Sequence, residues 1–214
     1  MGKLRQNSIS CVCQLKNAIE NRPTQIVMLD LSYKNPSAET FKKHFGVDAK
    51  TAPIIKHPGS QNRDCVRNVE KYVCAHGGAP LHVWQVVQQE NFILLVRPHA
   101  IIRKIDGEAI DITPDEYGLV EKSICYYENS ALFNLPLPPT RHVSLINNPI
   151  FIRGIEIMNL AHEIHTELLS PEGVIKVKPE ELNIHMIQKV STLKNPTEND
   201  LMLLGKCIAS IWKK

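Results

Sequence analysis

The stretch that most limits the fold runs from Cys65 to Pro114, CVRNVEKYVCAHGGAPLHVWQVVQQENFILLVRPHAIIRKIDGEAIDITP. Its first part is amphipathic. Cys65, Val69, Tyr72, Val73 and His76 recur at helical spacing, and Gly77-Gly78 followed by Pro80 stops the run. Asp64 stands where an N-cap carboxylate would accept from the first-turn N–H groups. Strand-forming segments follow at once. LHVWQVV alternates, QEN turns the chain into FILLVRP, HAIIRKI restarts after Pro98, and Asp106-Gly107 is a hairpin signal leading into EAIDIT. An antiparallel meander directly behind one helix defines an α+β architecture, with the helix laid on one face of the sheet.

The flanks add elements without changing that class. NSISCVCQLKNAIEN (7–21) has a loose helical stripe, QIVMLDLSY (25–33) is an early strand, and Ser37 caps a helix SAETFKKHF that ends at Gly46. Residues 47–63, with Pro53, Pro58 and Gly59, read as a loop. SICYYEN suits a strand, NLPLPPTRH an extended connector, and VSLINNPIFIRG an edge strand. From Ile155 the pattern turns helical through IEIMNLAHEIHTELL, a turn at SPEG, PEELNIHMIQKVSTL and TENDLMLLGKCIASIWKK. Glu180-Glu181 and Lys213-Lys214 suit the first and last turns of helices. The expected division is a core over 1–150 and a C-terminal helical segment over 151–214, packed on the core.

Composition narrows the partners. A formal net charge of +3 with scattered Lys and Arg gives no electrostatic footprint for nucleic acid. No apolar run approaches the roughly 18 residues of a membrane span. MGKLRQNSISCVCQL is too polar for a secretory signal, and Gln6 stands where a myristoylation motif carries Ser or Thr. Six cysteines without a tight framework imply reduced thiols and a cytoplasmic location, with export lacking a cleaved signal left open.

Three side chains in the central stretch suggest chemistry. A cysteine attacks as its thiolate, and a helix N-terminus favours that negative charge. Cys65 is so placed; Cys74, near the C-terminal end of the same helix, is not. His99 could take the thiol proton, and Asp111 could hold the imidazole. Hairpin register is the obstacle. A two-residue loop at Asp106-Gly107 pairs Ile105 with Glu108, sets His99 opposite Pro114 and Asp111 opposite Ile102, and leaves the two roughly 10 Å apart along the ladder. A twist, a bulge or a wider loop is required to join them.

Cys65 at a helix start, His99-Ala100 at a strand, and Asp111-Ile112-Thr113-Pro114 after a turn together resemble the core of the transglutaminase-like cysteine enzymes, within the papain-like superfamily. The resemblance covers residues 60–115. Ile101 stands where an aromatic commonly follows the HA pair, and no Trp precedes the aspartate. It implies a papain-like or transglutaminase-like core and a Cys65-His99-Asp111 triad acting on an amide, isopeptide or ester bond. The substrate would be a protein, a peptide or a small amide or ester, and no cofactor is implied. Hydrolysis, deamidation and transfer to an amine are all open, as is oligomeric state. Gln61 and Asn62 could donate to an oxyanion, as an upstream glutamine does in papain-like enzymes. Asn68, one turn after Cys65, could orient the site, and Trp84 could line a cleft.

Two other readings stand beside this one. The same scaffold could be a non-catalytic interaction module with its C-terminal helices as the docking surface. A small zinc-binding protein would recruit Cys65, Cys74, His76, His82 and His99, at spacings that fit no standard pattern. Cys11-x-Cys13 lacks a second pair, and His162-Glu163-Ile164-His165 is one residue short of the zinc-protease helix motif.

Overall fold

The computed structural model describes residues 32–128, 138–169, 175 and 177–212, and the chain divides into two compact units at Pro138. Ser32–Leu137 forms an α+β unit, and the described residues from Pro138 onward form a helical one. Residues 138–150, grouped with the core in the sequence reading, thus fall in the helical unit. The helix over 7–21 with Cys11 and Cys13, the strand over 25–31, the SPEG turn, residues 129–137 of the connector and Lys213-Lys214 lie outside the described residues.

In the α+β unit the order is β1 (Tyr33–Lys34), α1 (Ala38–Phe45), β2 (Lys50–Pro53), α2 (Cys65–His76), β3 (Ala79–Gln89), β4 (Ile93–Arg103), β5 (Ala109–Ile110) and β6 (Ser123–Glu128). Local chemistry sets the boundaries of α1. The Ser37 side chain accepts from the Thr40 N–H, and Gly46 at φ +70° returns its N–H to Lys42. For α2 the stop is as expected, with the Gly77 N–H on the Val73 carbonyl. Gly78 follows at φ +95°, and a Cβ there would lie 2.7 Å from the Arg103 carbonyl oxygen, so only glycine lets the chain pass this close to β4. The start of α2 departs from expectation. Asp64 occupies the N-cap but its carboxylate makes no capping bond; it faces Arg67 at 3.8 Å instead.

The two long strands pair without interruption from Ala79 opposite Arg103 to Gln89 opposite Ile93. Pro98 therefore does not divide β4 into the two strands expected. It sits opposite Trp84, a ladder position that needs no N–H from it. A further strand, β2, lies inside the segment read as a loop. It is only KTAP, and Pro53 falls at its last residue, so a turn-rich composition masks it.

Sheet order is β2-β6-β3-β4-β5, antiparallel throughout, with β1 also on β3. The sheet curls until its ends meet. The Asp111 N–H bonds the Pro53 carbonyl at 2.9 Å and the Ile55 N–H bonds the Asp111 carbonyl at 2.7 Å, a parallel bridge that joins the chain beyond β5 to the end of β2. The enclosed face carries Ala52, Leu81, Val83, Val87, Ile101, Leu119, Ile124 and Tyr126. The opposite face of β4 and β5 meets α2, where Val69 packs on Ala100, Ile102, Ile110 and Ile112. Each such aliphatic side chain contributes about 1.5–3 kcal/mol when fully buried. That packing fixes α2 on the sheet and with it the position of Cys65.

In the helical unit β7 (Arg141–Ser144) precedes α3 (Pro149–Leu168), α4 (Pro179–Val190) and α5 (Glu198–Trp212). The segment VSLINNPIFIRG is strand only up to Ser144. Asn148 caps the Ile150 and Phe151 N–H groups and Pro149 takes the first helical position, so α3 starts earlier than the expected Ile155. Ile157, Ala161, Ile164, Leu204 and Ile208 form this unit's core. Among the described residues no helix is long and apolar enough to cross a membrane.

Candidate active site

Cys65, His99 and Asp111 come together, all within the α+β unit. Parity explains how. The Lys104 N–H bonds the Glu108 carbonyl at 2.8 Å and Arg103 pairs with Ala109, so the hairpin loop holds three residues, Ile105, Asp106 and Gly107, with Gly107 at φ +89°. The register is one residue away from the one a two-residue loop imposes. In a ladder with side-chain period two, that single step moves every residue after the turn to the other face. Asp111 thereby shares the enclosed face with His99, and the imidazole Nε2 lies 2.8 Å from Asp111 Oδ2. The wider loop is what joins them.

Cys65 arrives from the other face. β4 and β5 pair only at Ile102–Ile110 and Arg103–Ala109, after which Asp111 leaves for β2. Where the strands part, Cys65 comes close enough to the His99 ring and the Ala100 backbone for both to act on its thiol. Since Nε2 is engaged by Asp111, Nδ1 is the nitrogen left to the thiol. His99 is 5% exposed and Asp111 2%, whereas Cys65 is half-buried, the most exposed residue of the trio.

The electrostatics favour an ion pair. Burial pushes the Cys65 thiol up, but the hydrogen bond to His99, the His99 charge, the Ala100 backbone and the Arg97 charge together bring it below its ordinary value. Burial pulls His99 down, yet the Asp111 charge and hydrogen bond, reinforced by Cys65, raise it to about 9. Both shifts favour a thiolate beside an imidazolium at neutral pH. The first turn of α2 has no side-chain cap, so the N–H groups at the head of the helix are not taken by a capping carboxylate. Asp111 is held from its other oxygen as well, Oδ1 accepting the Thr113 N–H at 2.8 Å.

The remaining expected residues fall elsewhere. Asn68 is buried and clamps the preceding loop: Oδ1 accepts the Gln61 N–H at 3.0 Å and Nδ2 donates to the Gln61 carbonyl at 2.8 Å. Both ends of its amide are spent on backbone, so it positions the chain before Cys65 and does not face a reacting group. The Gln61 and Asn62 side chains are exposed in that loop. Trp84 is core, stacked on Tyr127, and is not among the residues around the small cavity under His99. Cys74 is exposed, and the described residues hold no group of three or more His, Cys, Asp or Glu side chains arranged to bind a metal.

Sequence reasoning missed the polar ring beside His99. Arg97, two residues earlier on the same face, donates from Nε to Gln85 Oε1 at 2.6 Å, pairs with Glu116, and lies 4.7 Å from the Tyr117 ring centre. Its one legible sign was an arginine inside an otherwise apolar strand. Comparison of the chain with protein-family models, curated proteins and solved structures finds no match.

Proposed function

We propose that the protein is a thiol-dependent acyl-transfer enzyme with a papain-like or transglutaminase-like core, acting on an amide, isopeptide or ester bond. The observation that carries this reading is the chain of contacts from Asp111 Oδ2 through the His99 ring to the Cys65 sulfur at the head of α2. In the reaction the Cys65 thiolate attacks the acyl carbon, and the carbonyl electrons move onto oxygen, where first-turn N–H groups of α2 would meet the charge. His99 then gives its Nδ1 proton to the leaving amine or alcohol as the bond breaks. In the second half His99 takes a proton from water or an amine, whose attack on the thioester releases Cys65. Asp111 keeps the imidazole oriented and stabilises its charged form.

Thiol labelling tests this directly. Iodoacetamide at pH 7 is expected to alkylate Cys65 faster than the other five cysteines, and His99→Ala to abolish the advantage. Equal labelling of all six would sink the proposal and favour a non-catalytic interaction module.

A further inference from the structure

Three segments deliver the triad, and one small ionic network touches all three. Arg63 stands two residues before Cys65, Arg97 two residues before His99, and Glu116 five residues after Asp111. Glu116 takes Arg97 on one carboxylate oxygen and Arg63 Nε on the other at 3.3 Å. Arg97 is further fixed by Gln85 and by the face of Tyr117. Arg63 is the only non-glycine residue between Ser32 and Gln89 with a positive φ, at +65° among the described residues. A non-glycine side chain in that region is strained and persists only where its surroundings hold it there.

We infer that Glu116 is a positioning residue: through Arg63 and Arg97 it straps the loop that carries the nucleophile to the strand that carries its base. This rests on the acyl-transfer reading. The carboxylate is four-fifths buried and shared by two guanidinium groups, so its loss releases Arg63 and leaves Arg97 on Gln85 and Tyr117, breaking the link between them. Arg63, half exposed, is the releasable end; Arg97 is the anchored one.

Iodoacetamide alkylation of Cys65 in the full chain, followed across pH, distinguishes a strap from a simple field effect. By charge alone Glu116→Gln and Arg63→Gln push the thiol in opposite directions, since one removes an anion and the other a cation. By positioning, both lower the plateau rate, by about ten- to hundredfold for Glu116→Gln and about two- to fivefold for Arg63→Gln. Arg63→Lys is expected to restore most of the rate, and the double variant to be no slower than Glu116→Gln alone. Plateau rates equal to wild type, opposite shifts without rate loss, or additive losses would overturn the strap. Should Glu116→Gln not fold, Arg63→Gln and its lysine rescue, at an exposed position, decide the matter. The His99 ring titration by NMR in the same proteins reads positioning without any reaction. A wild type whose Cys65 reacts no faster than Cys74 defeats the enzyme reading, whereas variants identical to a reactive wild type defeat only the strap.

Discussion

At the scale of single residues, the decisive interaction is the one between His99 and Asp111. Burial pulls His99 down, yet it is raised from its ordinary 6.5 to about 9, because the Asp111 carboxylate together with Cys65 outweighs the loss of solvent. A pKa raised on folding stabilises the fold fully below about 6.5, and that contribution is lost as pH rises through about 9. Asp111→Asn is therefore expected to lower the His99 pKa seen by NMR and to slow Cys65 alkylation at pH 7. The stability deficit of the variant relative to wild type should be largest in mildly acidic solution and shrink toward pH 10. A deficit that does not change with pH would contradict the assignment. Cys65 was legible because a helix start is visible in sequence and thiolate chemistry favours that place. The ring of Arg63, Arg97 and Glu116 was not, since its members lie 19 and 53 residues apart and nothing local ties them together.

At the scale of elements, the hairpin between β4 and β5 decides which face receives the carboxylate. Asp106-Gly107 marks the turn in sequence, but it suits a two-residue loop and the last two positions of a three-residue one alike. The choice was made by the Lys104–Glu108 closing pair and by Asp111 bridging to β2, a contact with a strand that proline-rich sequence concealed. Deleting Ile105, whose side chain is 86% exposed, shortens the loop by one residue without removing core. If parity governs the site, the deletion variant keeps its sheet by circular dichroism yet loses the preferential alkylation of Cys65. Retention of that preference would show that the strands absorb the missing residue by a bulge. The helix-then-meander order was readable from turn and helix-stop residues. The closure of the sheet was not, because it depends on the parallel bridge at Ile54, which no hydrophobic period announces.

At the scale of the molecule, triad and strap draw every residue from Ser32–Leu137, while the helical unit has its own core and its own buried ion pair. There Arg153 donates to both oxygens of Asp200, which is 7% exposed, and to the Lys194 and Asn195 carbonyls. Arg153→Met leaves that carboxylate with Thr197 as its remaining hydrogen-bond partner among the described residues, at a cost on the order of 2–3 kcal/mol. Hydrogen exchange should show α3 and α5 losing protection while the Cys65 alkylation rate stays at its wild-type value; a parallel fall in that rate would mean the site draws on the helical unit. The uneven exposure of the trio carries one more consequence. Cys65 is the residue of the trio with exposed surface, while the imidazole and the carboxylate are buried, so a visiting molecule approaches the site from the Cys65 side. An inhibitor must gain its selectivity from what surrounds the thiol on that open side, chiefly the loop from Gln61 to Asp64, because the two groups that make the thiol reactive offer it no foothold.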